Sequence, residues 1–274
     1  MGPVDGHNLT EIIQCLEYAK EEKRPVFIHV HTKKGKGYAP AESNPQKFHG
    51  ISPFDKTTGE TKKGSETYSA RFGNTLVRLA KNNKKIVAIT GAMPNGTGLD
   101  EFQEQYKYRF FDVGIAEQHG VTLSAGLATV GYTPVIPLYS SFLQRAYANF
   151  ARRLSAKTSR CIPYRPCRYS RRRRLRHTRG VYDISYLSHM PNMTILAPKN
   201  LWELSDMIKF AVDYDGPIAV RYPRGEAYTG LKEFRAPICL GKSEVIHEGS
   251  RVALLAVGSM VKMAEEVQKQ LKER

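Results

Sequence analysis

The fold is decided by the stretch Arg109-Phe-Phe-Asp-Val-Gly-Ile-Ala-Glu-Gln-His119. Its first part, Phe110–Val113, has the apolar and aromatic composition of a buried strand, and a helix is predicted over Ala116–Val130 directly after it. A strand that runs straight into a helix is half of a strand–helix–strand unit, and such units build parallel sheets. The stretch therefore predicts a helix-covered parallel sheet, with Glu117 in the first helical turn after a strand end.

The same alternation continues on both sides of this stretch. We predict an α/β fold in which a parallel sheet carries helices on both faces. Ligands of such sheets bind at the carboxyl ends of the strands, where Glu117 and Tyr139–Phe142 fall. The other predicted helices are Leu9–Leu16, Tyr68–Ala80, one from Ser141, Trp202–Val212 and Met260–Leu271, and the other predicted strands are Val26–Val30, Ile86–Thr90, Pro134–Leu138, Met193–Ala197, Ile218–Arg221 and Val252–Val257.

The composition is that of a globular protein with one to two domains, because 274 residues with 41% apolar content can bury a full core. The four cysteines show no Cys-x-x-Cys pairing, so neither a disulfide framework nor a zinc site is indicated. No apolar run is long enough to span a membrane, and the start, Met1–Gly6, lacks an export leader. We therefore expect a soluble, cytoplasmic protein without metal ligands in this chain.

The net charge of +16 comes mainly from one segment, Ala151–Gly180, which we call the arginine-rich segment. It contains eleven arginines, one lysine and no acidic residue, and so supplies twelve of the sixteen excess positive charges. A basic surface usually indicates binding to a polyanion such as nucleic acid. Because the charge is confined to one segment inside ordinary α/β sequence, nucleic-acid binding is expected to be non-specific only.

Three residues near predicted strand ends are candidates for chemistry, each with a plain structural alternative. Glu117 is either a surface glutamate favoured by the helix dipole or a buried acid that shares a proton with a heterocyclic nitrogen. Tyr139 and Phe142 are either core aromatics or a platform for a flat ring.

Basic residues offer two further candidates. Arg221 and Arg224 bracket Tyr222-Pro223 at a strand exit, where they form either a phosphate site or plain surface charge. The lysines of the loop Lys33-Lys-Gly-Lys-Gly-Tyr38 either bind an anion or belong to a solvated turn. The residues alone leave these alternatives open.

Several phrases, taken together and in order, resemble the 1-deoxy-D-xylulose-5-phosphate synthase family of transketolase-like thiamine-diphosphate enzymes. The resemblance covers nearly all of the chain outside the arginine-rich segment. Its phrases include Gly2-Pro-Val-Asp-Gly-His7, Thr32-Lys-Lys-Gly-Lys-Gly-Tyr-Ala-Pro-Ala-Glu42, Phe48-His-Gly50, the stretch Arg109–His119, Tyr139-Ser-Ser-Phe-Leu-Gln-Arg-Ala-Tyr147, Asp183-Ile-Ser-Tyr-Leu187 and Val220-Arg-Tyr-Pro-Arg-Gly225.

The resemblance implies roles for residues around the cofactor, thiamine diphosphate. Glu117 would bond N1′ of the aminopyrimidine and Phe142 would stack on that ring. Tyr38 and Lys34 would line the cofactor site, and His49 would stand near the reacting carbon as a second catalytic residue.

The resemblance also implies an activity and substrates. The family condenses pyruvate with D-glyceraldehyde 3-phosphate to give 1-deoxy-D-xylulose 5-phosphate and carbon dioxide, for isoprenoid and thiamine biosynthesis. Tyr139, Arg145 and Arg224 would shape the pocket for glyceraldehyde 3-phosphate. Family members are magnesium-dependent homodimers.

The first departure from the family is in length. Residues 1–64 resemble the tail of the diphosphate-binding domain and a linker, 65–236 the pyrimidine-binding domain, and 237–274 the start of a third domain. We expect a chain truncated at both ends, whose magnesium ligands would lie in the missing N-terminal part, and which is inactive alone. A split transketolase-type enzyme, completed by a separate chain, is the alternative; a nucleic-acid-binding protein that uses residues 151–180 is another.

The second departure is the arginine-rich segment. In the family this place carries a buried strand and a loop with an active-site arginine, aspartate and histidine, which would fall near Cys167, Arg174 and Thr178. Arginine codons of the form CGN become GN-initial codons when they are read one base later, so a shifted frame turns a Gly- and Asp-rich loop into an arginine run. We hypothesise that about 151–179 is translated out of frame, and we expect it to leave a gap in the sheet.

Overall fold

The fold is taken from a computed structural model, which describes residues 1–51, 53–61, 64–149, 182–272 and the backbone of 162–165. The chain divides into two compact units, Met1–Gly64 and Ser65–Arg274. In the part of the chain that is described, no helix has both the length and the apolar character needed to cross a membrane.

The first unit is small and is built on two parallel strands of two residues each. The strands β1 (Val4–Asp5) and β2 (Val30–His31) flank helix α1 (Leu9–Glu21), and a short helix α2 (Ala39–Ser43) follows. The predicted strand Val26–Val30 is therefore wrong in its bounds. Outside the regular pairing, the Met1 ammonium donates to the Phe27 carbonyl oxygen and the His29 amide donates to the Met1 carbonyl oxygen, so residues 27–29 are hydrogen-bonded to the N-terminus without forming a strand.

Asn8 caps the N-terminus of α1. Its Oδ1 accepts hydrogen bonds from the amides of Thr10 and Glu11, at 3.1 and 3.4 Å, and its Nδ2 donates to the Glu11 carboxylate at 2.7 Å. These bonds satisfy amides of the first helical turn that have no partner within the helix, which explains why the helix begins here.

The second unit alternates helices and strands. In chain order its elements are α3 (Tyr68–Asn82), β3 (Ile86–Thr90), α4 (Pro94–Thr97), α5 (Asp100–Gln105), β4 (Phe110–Asp112), α6 (Glu117–Thr129), β5 (Thr133–Val135), β6 (Leu138–Tyr139), α7 (Ser140–Leu143), β7 (Ile162–Arg165), α8 (Asp183–Ser188), β8 (Thr194–Leu196), α9 (Leu201–Asp213), β9 (Ile218–Arg221) and α10 (Met260–Lys272), with short 3₁₀ turns at Lys107–Arg109 and Gln144–Ala146.

The strands of this unit form two parallel sheets, and one short stretch of chain contributes a strand to each of them. The orders are β4-β3-β5 and β6-β7-β9-β8, and every pairing between these described strands is parallel. The predicted strand Pro134–Leu138 is observed as β5 and β6, because its first half pairs with β3 and its second half with β7. This stretch therefore connects an edge strand of one sheet to an edge strand of the other.

Helices cover both faces of these strands, which confirms the predicted α/β class. On β3, Ile86 and Ala88 pack with α3, α5 and α9, whereas Ile89 packs with α6 and α8 on the other side. Successive side chains of a strand point to opposite faces, so this split shows two apolar layers. Gly73 lets α3 pack closely, since a Cβ there would lie 1.8 Å from the Gly98 carbonyl oxygen.

Two predictions fail in the second unit. Val252–Val257 is not a strand, because no neighbouring strand among the described residues pairs with it. The expected gap is also wrong at Ile162–Arg165, which forms β7 between β6 and β9. Parallel pairing uses the backbone, and Pro163 removes only one donor from the ladder. The rest of the arginine-rich segment lies outside the described residues, and its shifted frame stays a hypothesis.

Candidate functional site

Glu117 stands at the carboxyl edge of the sheet β4-β3-β5, where a tight turn joins β4 to α6. Asp112, the last residue of β4, accepts hydrogen bonds from the amides of Gly114 at 2.9 Å and Ala92 at 2.8 Å. Both donors lie in the left-handed region, with φ of 67° and 58°. One carboxylate oxygen thus fixes the turns after β4 and β3 together, and so fixes where α6 begins.

The Glu117 side chain is buried without a partner. It is 5% exposed, and its Oε2 accepts no hydrogen bond from any residue that the structure describes. A buried carboxylate oxygen without a donor is destabilising, so such a group indicates a missing ligand or water. The position in the first turn of α6 favours a negative charge. The structure therefore places Glu117 as a buried acceptor and excludes the surface alternative.

Tyr139 and Phe142 form an aromatic platform on the neighbouring sheet edge. Tyr139 ends β6 and is 8% exposed, whereas Phe142 in α7 is 43% exposed. Their rings stack with centroids 5.4 Å apart and planes 22° apart. The Tyr139 hydroxyl donates to the Gly96 carbonyl oxygen at 3.4 Å. The hydroxyl bond thus fixes the Tyr139 ring, and the exposed ring of Phe142 is available to stack on a flat ligand ring.

The two predicted substrate arginines are exposed. Arg145 lies in the 3₁₀ turn after α7, and Arg224 lies three residues beyond β9. Neither side chain forms an ion pair or hydrogen bond with any residue in the described part of the chain. Both guanidinium groups are therefore exposed, and no partner among the described residues orients them.

The first unit holds the remaining predicted residues. Tyr38 packs edge-on against Phe48, with ring centroids 5.4 Å apart, and its hydroxyl donates to the Lys56 carbonyl oxygen at 2.9 Å. Lys34 and His49 are exposed. The Tyr38 hydroxyl thus already has a backbone partner, whereas the side chains of Lys34 and His49 are exposed to solvent.

In the lysine loop of the first unit, the lysines are exposed and one of them forms an ion pair. The ammonium of Lys33 pairs with Glu42, and Glu42 also accepts from the Gly37 amide at 2.9 Å. The hydrogen bond from Lys33 has the largest effect and lowers the pKa of the Glu42 carboxyl, and the bond from the Gly37 amide lowers it further. His7 Nε2 accepts from the Lys33 amide at 2.8 Å. The phrases Gly2–His7 and Thr32–Glu42, far apart in sequence, therefore meet within one unit.

Comparison with sequence families gives two matches. Residues 65–229 match the family described as the transketolase pyrimidine-binding domain. The chain belongs to this family. Residues 1–32 match the family described as 1-deoxy-D-xylulose-5-phosphate synthase. The two matches lie in the order in which the motif phrases predicted them.

Curated relatives of this transketolase pyrimidine-binding domain protein confirm the resemblance. The 1-deoxy-D-xylulose-5-phosphate synthase of Lachnoclostridium phytofermentans is 46% identical over 279 residues, which cover 99% of this chain and 44% of the relative. The synthase of Clostridium tetani is 47% identical over 280 residues, which cover 100% of this chain and 44% of the relative. The chain thus spans less than half the length of these relatives.

Solved transketolase structures share the fold. A split-gene transketolase, described as an inactive β4 tetramer, superposes with a TM-score of 0.69 at 25% identity, covering 77% of this chain and 68% of that one. The transketolase of Campylobacter jejuni superposes with a TM-score of 0.65 over 76% of this chain and 33% of its own, and at 17% identity it shows the fold alone.

Membership of a pyrimidine-binding domain family supports thiamine diphosphate as the cofactor, and the observed residues fit its pyrimidine. The fit rests on the unpartnered Oε2 of Glu117 and on the open face of Phe142. Among the described residues, no cluster of three or more His, Cys, Asp and Glu side chains is arranged for a metal ion.

Two aspartates of this site, Asp112 and Asp183, were missed by the sequence analysis, whereas Arg221 was already a candidate phosphate residue. Asp112 fixes two turns, and Asp183 forms an ion pair with Arg221 at 2.7 Å. An aspartate directly after a predicted strand is a usable signal for such turns. Nothing in the local sequence indicates the ion pair of Asp183 and Arg221, because the two residues lie 38 positions apart.

Proposed function

We propose that the chain is the pyrimidine-binding part of a 1-deoxy-D-xylulose-5-phosphate synthase. That enzyme condenses pyruvate with D-glyceraldehyde 3-phosphate and releases carbon dioxide. The proposal is carried by two observations in a chain 46% identical to such a synthase: the buried Oε2 of Glu117 has no partner among the described residues, and the ring of Phe142 is exposed.

Glu117 binds N1′ of the aminopyrimidine and holds the proton shared with it. Burial strengthens this hydrogen bond, because water does not compete for the carboxylate. Phe142, backed by Tyr139, stacks on the pyrimidine ring and fixes its plane. When bound, thiamine diphosphate supplies the carbanion chemistry of the reaction.

The remaining residues hold substrate and the rest of the cofactor. Tyr38 and Lys34 would contact the cofactor and His49 would stand near the reacting carbon, as the family resemblance implies. Tyr139, together with the exposed guanidinium groups of Arg145 and Arg224, binds glyceraldehyde 3-phosphate, because planar guanidinium groups fit phosphate oxygens. We place the magnesium ligands outside this chain.

The proposed organisation follows the family. Residues 1–64 belong to the diphosphate-binding domain and linker, 65–236 to the pyrimidine-binding domain, and 237–274 to a third domain. We propose a homodimeric cytoplasmic enzyme that is inactive as this chain alone, with nucleic acid bound only non-specifically.

The direct test is calorimetric titration of the chain with 4-amino-2-methylpyrimidine and with thiamine diphosphate. Glu117→Gln is expected to weaken aminopyrimidine binding at least ~10-fold, since it removes the charged acceptor of a buried hydrogen bond. Phe142→Ala is expected to weaken it by a similar factor through lost stacking. The matched control is Glu104→Gln, an exposed glutamate of α5. Equal affinity in Glu104→Gln and Glu117→Gln would reject the proposal.

A second candidate is a subunit of a split transketolase-type enzyme. It is favoured by the fold neighbour described as a split-gene transketolase, of which this chain covers 68%. The two candidates differ when the chain is mixed with a separate chain that carries the diphosphate-binding half. Synthesis of 1-deoxy-D-xylulose 5-phosphate after mixing, and none by either chain alone, favours the split enzyme with the proposed reaction.

A further inference from the structure

Asp112 joins two turns at the carboxyl edge of the sheet β4-β3-β5. It is the last residue of β4 and pairs in register with Thr90, the last residue of β3. Its Oδ1 accepts from the Gly114 amide in the turn after β4, at 2.9 Å, and from the Ala92 amide in the turn after β3, at 2.8 Å. One oxygen atom therefore ties together the chain segments that leave two neighbouring strands.

The backbone of the turn after β3 is in a conformation that needs support. Ala92 has a φ of 58° and is one of three residues other than glycine with positive φ in the described part of the chain. A residue with a side chain adopts this left-handed conformation only at a cost in free energy, and such strain is concentrated at binding and active sites. The bond from the Ala92 amide to Asp112 offsets this cost and holds the turn.

The turn after β4 sets the position of Glu117. No side chain among the described residues caps the N-terminus of α6. Instead, the Gly114 carbonyl oxygen accepts from the Ala116 amide at 2.8 Å, and the Ala116 carbonyl oxygen accepts from the Gly120 amide at 3.0 Å. The start of α6 therefore follows the turn that Asp112 holds.

The turn after β3 leads to the aromatic platform. Ala92 is followed by α4, which also begins without a capping side chain from the described residues. Gly96 of α4 accepts a hydrogen bond from the Tyr139 hydroxyl at 3.4 Å, and the Tyr139 ring stacks on that of Phe142 with centroids 5.4 Å apart. The turn held by Asp112 thus supports both rings through α4.

We propose that Asp112 is a positioning residue that aligns the buried acid Glu117 with the ring of Phe142. The identity of the ligand, an aminopyrimidine, rests on the proposed function. This ligand must contact both groups at once, through its N1 atom and its ring face, so its affinity depends on the distance and angle between them. Asp112 sets that relation, because both elements are supported by turns that are bonded to the same oxygen.

The contribution of Asp112 is orientation, and the variants can separate it from charge. Asp112 is exposed, so its replacement leaves no cavity and no buried charge. Asp112→Asn keeps an acceptor oxygen at the same place. Asp112→Glu keeps the charge but moves the oxygens by one methylene group.

The test is calorimetric titration of the full chain with 4-amino-2-methylpyrimidine. Asp112→Ala is expected to weaken binding at least ~10-fold, and Asp112→Asn to retain most of the affinity. Asp55→Ala is the matched control, because the exposed Asp55 also accepts from two amides with one oxygen, those of Thr57 at 2.7 Å and Thr58 at 3.0 Å. Asp55→Ala is expected to bind as the unchanged protein does, and equal affinities of the two alanine variants overturn the inference.

A positioning role also changes the geometry of the bound ligand, which a loss of stability alone does not. With the ligand ¹⁵N-labelled at N1 and its signals extrapolated to saturation, the N1 resonance reports the proton shared with Glu117. The 2-methyl proton resonance reports the ring current of Phe142. Both are expected to move toward their free-ligand values in Asp112→Ala and to stay in place in Asp55→Ala. Unchanged signals in Asp112→Ala would show that Asp112 contributes only to stability, and overturn the inference.

A second pair of variants guards against loss of folding. If Asp112→Ala does not fold, the comparison of Asp112→Asn with Asp112→Glu decides. Asp112→Asn is expected to bind the aminopyrimidine more tightly, because its acceptor oxygen can still reach both amides. The reverse order would show that the charge matters rather than the position of the acceptor, and overturns the inference.

The inference and the proposed function can fail separately. In ¹⁵N spectra of the ligand-free chain, Asp112→Ala is expected to shift the amide resonances of both Glu117 and Gly96, and Asp55→Ala neither. These joint shifts in a chain that binds no aminopyrimidine overturn the proposed function and keep Asp112 as the residue that aligns the two elements. Aminopyrimidine binding that depends on Glu117 but not on Asp112 keeps the proposed function and overturns the inference.

Discussion

Replacement of Glu117 by methionine is expected to stabilise the protein while it abolishes pyrimidine binding. The side chain is 5% exposed, and its Oε2 has no donor among the described residues. Removing an unsatisfied buried polar group gains about 1–3 kcal/mol. Losing a negative charge in the first turn of a helix opposes this by about 0.3–1 kcal/mol. The net expectation is about 1 kcal/mol of added stability.

Glu203 provides a matched comparison, because it also lies in the first turn of a 13-residue helix. Unlike Glu117, it is fully engaged: it accepts from the Lys199 amide at 2.6 Å and from the Lys199 ammonium at 2.8 Å. Glu203→Met is therefore expected to lose about 2 kcal/mol, since the lysine stays buried with one carboxylate fewer. The helix-dipole contribution is common to both substitutions. Opposite signs of the two changes in the free energy of unfolding would therefore isolate the effect of the missing donor.

The assay is urea unfolding of both variants, combined with calorimetric titration by 4-amino-2-methylpyrimidine. A change of 1 kcal/mol corresponds to about 2–4 °C in the melting temperature of a chain of this size. Higher stability and no pyrimidine binding are expected for Glu117→Met, and lower stability with unchanged binding for Glu203→Met. Loss of stability in both variants would show that Glu117 is a structural residue and would refute the reasoning.

Three further predictions concern the framework that holds the site. Arg109 donates to three backbone carbonyl oxygens, two at the end of α3 and one at the start of β3. Arg109→Met is expected to lower the free energy of unfolding by about 3 kcal/mol in urea unfolding, with exposed Arg78→Met unchanged as control. Burial by itself lowers the pKa of Lys199, but its hydrogen bonds to two glutamates outweigh burial and raise that pKa above 10.5. The folded state therefore holds this proton more tightly, so wild-type stability relative to Lys199→Met is expected to fall as the pH rises through 10.5 and above, in urea midpoints measured between pH 8 and 12. Gly73→Ala is expected to unfold at a markedly lower temperature, because its Cβ would lie 1.8 Å from a backbone oxygen; Gly126→Ala in α6 meets nothing within 4 Å and is expected to gain about 0.5–1 kcal/mol. Equal melting temperatures for the two alanine variants would contradict the close approach at Gly73.

The strand–helix alternation could be predicted from sequence because it depends on local patterns. Ile86–Thr90 and Ile218–Arg221 have the predicted bounds, since apolar runs of four or five residues between helices leave little choice of register. The predictions at Val26–Val30 and Val252–Val257 failed for a shared reason. A strand exists only where a second strand pairs with it, and the sequence of a segment does not show whether such a partner lies beside it.

The sequence by itself determined the fold class, the family and the position of Glu117 at a strand exit, because each follows from short stretches of chain. Tertiary structure alone decided between a surface glutamate and a buried acceptor, since burial depends on what packs around α6. It also brought Asp183 to Arg221 across 38 positions. Whether a polar group has a partner is a property of the packed chain, so no local pattern can show it.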